Sequence, residues 1–212
     1  MASIILLTLM SLNLIELMPY QATADPTDGF TSLPLGSSNF IIHKPYDVSV
    51  SDRYSFQNGI HKLWVYSTDK PFKSDSDTKP RTEVRIQGYD YTSGVWQFEG
   101  YAYVPSGTTG VSIMQVFGGT SAATTMMLRV YNGALSYYRT PIVQNIYNRW
   151  FRVNVIHDVG IPKVKVYIDG SLVHQANGNG ASSHYFKFGV YTQDSPSNFM
   201  ESRWRGIKVL RK

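Results

Sequence analysis

Apolar and polar residues alternate in about a dozen short stretches of this chain, and turn-forming residues interrupt each stretch before anything of helical period is established. Side chains that alternate with period two belong on a pleated strand, one face towards a core and the other towards solvent or a site. The stretches are 40–45, 61–67, 81–87, 95–104, 111–118, 125–132, 134–139, 150–158, 163–169, 171–176, 184–193 and 204–211. Between them lie Pro105-Ser106-Gly107, Asn132-Gly133, Asp169-Gly170 and Asn177-Gly178-Asn179-Gly180, all residues that favour turns. Asp169-Gly170, flanked by KVKVYI and SLVH, marks the clearest hairpin. The expected fold is all-β: a jelly-roll sandwich of two antiparallel sheets packed face to face.

A sandwich of this kind is held by its core alone, because the chain has no cysteine and so neither a disulfide nor a cysteine zinc site. With 212 residues, 42% hydrophobic and 14% aromatic, one sizeable core is expected. Residues 1–24 read as a secretory signal, an apolar run ending in Ala22-Thr23-Ala24 just before Asp25. The run holds Glu16 and falls short of the roughly 20 uncharged apolar residues that a membrane anchor needs, so no stable membrane insertion is expected. Residues 25–212 then form the folded domain, expected as a monomer that reaches the cell exterior, the cell wall or the vacuole. Loss of residues 1–24 removes one acid and no base, which raises the formal net charge of +5 by one.

A basic exported domain attracts polyanions in general. No Lys/Arg run marks a nucleic-acid protein, and no N-x-S/T acceptor occurs in 25–212. His157 and His174 have no second ligand at metal spacing, and His61 and His184 read as surface residues, so no metal and no cofactor are expected.

The chemistry concentrates on three stretches. RTEVRIQ (81–87) places Arg81, Glu83, Arg85 and Gln87 on one face and Thr82, Val84 and Ile86 on the other. HYFKFGVYTQ (184–193) separates Tyr185, Lys187, Gly189 and Tyr191 from Phe186, Phe188 and Val190 in the same way. In VSIMQVFG (111–118), Gln115 shares its face with Ile113 and Phe117. Together the polar faces describe a concave groove for an anion, with Trp96 or Tyr101 adding a platform for sugar rings. The plain alternative is an exposed ion-pair ladder along 81–85, worth well under ~1 kcal/mol. The polar loop KPFKSDSDTKP (70–80) leads into the first of these strands and overhangs one end of that face, as a lid or as an idle surface loop.

R-T-E-V-R, Q-V-F and Y-F-K-F-G-V-Y-T-Q, in this order, resemble the signature strands R-(S/T)-E-L-R, Q-(I/V)-H and Y-F-K-A-G-x-Y-x-Q of the alginate-lyase-like polysaccharide lyases. DPTDGFTSLPL, LWVYSTDKP, KPRTEVRIQGYDY and SGVWQFEGY also resemble the plant citrate-binding proteins of that superfamily. The resemblance implies a jelly roll with Arg81, Glu83 and Arg85 on its concave sheet. It further implies Gln115 as a partner of a uronate carboxylate, Tyr185 and Lys187 in the groove, and Tyr191 as the catalytic tyrosine. β-Elimination needs cations and amides around the developing enolate, a base for the proton and an acid for the leaving oxygen. The lyase motif's histidine is Phe117 here, which accepts no proton. Three outcomes stand open: Tyr191 serves as both base and acid, another histidine substitutes, or the protein binds without cleaving. The related glucuronan lyases suggest His43 as the substitute. The expected ligand is citrate or an acidic polysaccharide, bound in a basic groove or, alternatively, cleaved.

Overall fold

In the computed structural model the described residues are 24–119, 122–180 and 182–212. The expected secretory signal, apart from Ala24, lies outside them. Fifteen strands follow one another among the described residues. They are β1 (Thr31–Leu33), β2 (Phe40–His43), β3 (Tyr54–Gln57), β4 (Ile60–Tyr66), β5 (Arg81–Ile86), β6 (Val95–Tyr103), β7 (Val111–Phe117) and β8 (Thr124–Tyr131). Then come β9 (Ala134–Tyr137), β10 (Thr140–Val143), β11 (Trp150–Asp158), β12 (Lys163–Ile168), β13 (Ser171–Asn177), β14 (Tyr185–Thr192) and β15 (Phe199–Arg211). Helical structure among the described residues is limited to two short 3-10 turns, Ser37–Asn39 and Val50–Asp52.

The strands form two antiparallel sheets, as the alternation predicts. One runs β13-β12-β11-β6-β15-β4-β3 with β1 added on β15, and the other runs β10-β9-β8-β7-β14-β5-β2. Their inner faces meet on Leu63, Phe98, Phe151, Phe186, Phe188 and Trp204, each 0 or 1% exposed. Phe188 from one sheet and Trp204 from the other lie 5.6 Å apart between ring centroids. Such burial of large rings is the dominant favourable term for a sandwich without cross-links. Asp169 (φ 51) and Gly170 (φ 85) turn β12 into β13, and Asn132 (φ 49) and Gly133 (φ 83) turn β8 into β9, which matches their turn chemistry.

The histidines correct the sequence reading. His61 is 4% exposed and His184 fully buried, so neither is a surface residue, and His157 is fully buried as well. The rings of His157 and His184 lie 4.6 Å apart, because the end of β11 and the start of β14 meet across the sandwich. Tyr91 is hydrogen-bonded to His157 Nδ1 at 3.0 Å and Tyr54 to His61 Nδ1 at 2.9 Å. Burial pushes His61 and His157 down to about 4. A folded-state pKa below the unfolded value of about 6.5 means that the unfolded chain takes up protons first, so stability is full above pH ~6.5 and is lost as pH falls towards 4. Melting temperature is therefore expected to drop by several degrees between these limits. The double variant His61→Gln/His157→Gln should reduce the slope without abolishing it, because the His43 imidazole, held down to about 3, titrates across the same window, and a wild-type profile that is level there refutes the assignment.

Candidate functional site

The three motif strands are neighbours in the order β7-β14-β5, and β2 closes the edge beside β5. Register then sets the polar face in rows that cross the strands. Arg85, Lys187 and Gln115 form one row. His43, Glu83 and Gly189 form the next. Arg81, Tyr191 and Ser112 form a third, which Arg129 of β8 and Ser136 of β9 extend. Arg81, Glu83, Arg85, Gln115, Tyr185, Lys187, Tyr191 and His43 therefore share one face, as the alternation requires.

Burial makes this face different from an exposed ladder. Glu83 is 1% exposed, Gln115 1%, Lys187 2% and Arg81 9%. The Glu83 carboxylate is the hub: Lys187 Nζ lies 3.4 Å and Arg81 Nη1 3.5 Å from its Oε2, while Gln115 Nε2 donates to its Oε1. Gln115 thus has its amide NH2 engaged by an internal carboxylate. Arg85 and Lys187 are like charges directly opposite each other, an arrangement that costs energy on a sheet. Arg85 turns to Asp90 at 2.5 Å and over the Tyr185 ring at 4.1 Å. Burial holds the Lys187 ammonium below its ordinary pKa while Glu83 pulls it back up. Burial raises the Tyr185 phenol, and Arg85 opposes that shift. Three cations against the two carboxylates Glu83 and Asp90 leave this part of the face positive.

Arg81 lies over the Tyr191 ring, its guanidinium carbon 3.7 Å from the centroid. This is a close cation–π stack that fixes the phenol on the face. Phe117, in the place of the motif histidine, stacks on Tyr185 at 4.8 Å and carries Lys187 Nζ 5.1 Å from its centroid. His43 sits on edge strand β2 opposite Glu83 and stacks on Phe72 at 4.2 Å. Phe72 comes from loop 70–80, so that loop lies against the His43 end of the face. Burial first, then the charges of Lys187, Arg81, Arg85 and Lys73, push the His43 imidazole down to about 3.

Two expectations are corrected. Trp96 and Tyr101 belong to β6 in the other sheet, so neither is a platform here. Trp96 stacks on Tyr91, and Tyr101 is 37% exposed. Ile113 does not accompany Gln115: register shifts on both sides of β7 put Ser112 opposite Tyr191 and Arg129, and Ile113 is fully buried. A bulge changes the face parity that alternation assumes.

Arg129 and Ser136 were missed by sequence reasoning, although TMMLRVY alternates Met127, Arg129 and Tyr131 on one side. Among the described residues, Arg81 Nε, Arg129 Nε, Ser136 Oγ, Tyr131 Oη and His43 Nδ1 are buried side-chain atoms without a hydrogen-bond partner, and all five belong to this sheet. Buried polar atoms are normally paired, so a set of orphans along one face points to groups that a ligand completes. A depression of about 320 Å³ beside Tyr131, Ser136 and Arg139 continues the face at its β9 end.

The chain is similar to known proteins in sequence and in fold. The chain is 56% identical over 191 residues to a citrate-binding protein of Hevea brasiliensis, covering 89% of this chain and 80% of that one. Among solved structures, the alginate lyase AlgAT5 of polysaccharide lyase family 7 superposes with a TM-score of 0.64 at 18% identity, over 81% of this chain and 93% of that one. An alginate lyase from Corynebacterium sp. superposes with a TM-score of 0.60 at 20% identity, over 85% and 92% of the two chains. Both structural likenesses concern the fold. The family model described as alginate lyase matches residues 33–211, and on that match, which takes in all three motif strands, the chain belongs to the alginate lyase family.

Proposed function

We propose that the polar face of the β7-β14-β5 sheet binds an extended, carboxylate-bearing chain of the polyuronate type without cleaving it. One observation carries the reading: the buried orphans Arg81 Nε, Arg129 Nε and Ser136 Oγ fall on a single row running from β5 to β9. Four strand spacings of about 4.8 Å make that row roughly 19 Å long, more than a small tricarboxylate spans. Guanidiniums suit such a ligand because they pair with carboxylates in a two-pronged geometry. Binding without turnover is favoured by Phe117 and by an imidazole held to about 3 at His43, far from the working range of a general base.

The second reading is a lyase, favoured by Tyr191 locked under Arg81 on the same face as His43. Thermal shift with oligoglucuronate, oligoguluronate and citrate separates ligand classes, and ultraviolet absorbance of an unsaturated uronate product reports cleavage. At 100-fold over Kd, the bound oligouronate should add about 2.7 kcal/mol, a rise of roughly 5 to 10 °C. Arg129→Ala should cancel that rise for the oligouronate. A citrate response of the same size that survives Arg129→Ala rejects the extended ligand, and absorbance growth abolished by Tyr191→Phe converts the binder into a lyase.

A further inference from the structure

The outer face of the other sheet carries a second cationic feature, remote in the fold from the motif strands. Strand register aligns Val95, Asp158 and Lys163 in one row across β6, β11 and β12, and places Ile156 beside Lys165 in the next. A bond from the Lys212 amide to the Val95 carbonyl, 2.9 Å, anchors the C-terminal lysine at the same spot. These residues, with Phe30 and Ile161, line an open depression of about 490 Å³. That volume lies in the range of small-molecule sites, commonly about 300–1,000 Å³.

The lining divides by chemistry. Val95, Ile156 and Phe30 give a half-buried apolar floor, and Ile161 stands 69% exposed at the rim. Lys163, Lys165 and Lys212 ring that floor, and among the described residues none of them lies within ion-pair distance of a carboxylate. Asp158 is the one acidic side chain in the lining, and its Oδ1 is engaged by the Ile161 amide at 3.0 Å. Lysine stems lie along apolar surface while their ammonium groups reach outward, which places positive charge over the mouth of an apolar hollow. Elsewhere on the same sheet Lys208 is paired with Glu99 at 2.8 Å.

We propose that this depression is a second binding site, which takes a small amphiphilic anion: a compact head of up to two negative charges on an apolar body. Three lysine side chains, against the Asp158 side chain and the α-carboxylate of Lys212, leave the mouth net positive, and the apolar floor supplies the reason that a bare inorganic ion is not the occupant. The concavity favours a molecule that inserts over a flat membrane surface.

The test is calorimetric titration of the whole folded protein with octyl phosphate, beside inorganic phosphate, octanol and phosphatidylglycerol vesicles. Saturable one-to-one binding of octyl phosphate is expected, with no saturation by phosphate or octanol over the same range. Lys163→Gln/Lys165→Gln should weaken it about tenfold or more, a loss near 1.4 kcal/mol or beyond. Arg85→Ala, on the other sheet, should leave it unchanged. Loss of binding in Arg85→Ala, an equal response to phosphate or octanol, or capture by vesicles without binding of the free amphiphile overturns the proposal. The double variant alters two outward-facing side chains, so its melting temperature checks that the fold is retained.

Discussion

Glu83→Gln is expected to lower the melting temperature by roughly 10 °C, although the replacement keeps the size of the side chain. The carboxylate is 1% exposed and is the only acid within reach of both Lys187 and Arg81, themselves 2 and 9% exposed, among the described residues. An amide in its place leaves two buried cations without a counter-charge. Breaking a buried pair from one side costs about 3 kcal/mol or more, because the remaining charge stays desolvated. The direction with pH identifies the cause. Burial already holds Lys187 below its ordinary pKa, and Glu83 is the group that raises it again. Without Glu83 the folded-state pKa falls further below the unfolded value of about 10.4, so between those two values the unfolded chain holds the extra proton. Stability of the variant then recovers as pH rises towards 10, and its deficit against wild type narrows. Lys187→Met on top of Glu83→Gln should restore much of the loss, since it removes one uncompensated charge. A Glu83→Gln protein that melts within ~1–2 °C of wild type at pH 7, or a deficit unaffected by pH, would show that the hub does not hold the face together.

The same hub shows where sequence reasoning reaches its limit. Alternation along 81–87 and 184–193 is enough to place Arg81, Glu83, Arg85, Lys187 and Tyr191 on polar faces, because period two is a local property of the backbone. Which of these groups neutralise one another depends on strand order and register, which are long-range. Gln115 therefore reads as a ligand donor in the sequence and donates to Glu83 in the fold. Arg129 joins the row only through two register shifts around β7 that no local pattern announces. His157 and His184 lie far apart in the chain and meet for the same long-range reason.

Legibility of the strands follows the same rule. Strands of six or more residues with one buried face show their period, as β4 and β12 do with strict alternation of burial. β1, β3 and β10, of three or four residues, went unread, whereas β2 and β9, equally short, lie within longer apolar stretches that alternation does mark. The turn from β3 into β4 is made by Asn58-Gly59, with φ values of 51 and 73, a turn signal that the sequence reading passed over. β10 carries Pro141 and lies at a sheet edge, where a strand tolerates the missing amide. β15 starts at Phe199, ahead of the expected 204, because Met200, Glu201 and Ser202 are buried in succession and break the alternation there.

Gly189→Ala is expected to cost about 4 kcal/mol or more, enough to lower melting by over ~10 °C or to prevent recovery of folded protein. Gly189 has φ +140, which L side chains rarely adopt, and a Cβ there would meet the Thr82 carbonyl oxygen at 2.4 Å and Glu83 Cα at 2.8 Å. Both obstacles are backbone of β5, so no side-chain rotation relieves them. The Gly189 carbonyl is also tied inward: it accepts from Ser202 Oγ at 2.7 Å, and Ser202 Oγ accepts from Trp204 Nε1 at 3.1 Å. Moving the glycine would thus disturb a buried chain that links the two sheets. The functional consequence follows from register. The shift between Phe188 and Tyr191 relative to β7 is what sets Tyr191 opposite Ser112 while it stays opposite Arg81. A variant that survives by relaxing this bulge should lose the Arg81–Tyr191 stack, and with it the thermal response to oligouronate, while far-ultraviolet dichroism still reports β structure. Gly36→Ala is the control, because a Cβ there meets nothing within 4 Å, and its effect should stay within about 0.5 kcal/mol. Equal melting of Gly189→Ala and Gly36→Ala would mean that β5 yields to the added methyl, and the bulge would then no longer account for the position of Tyr191.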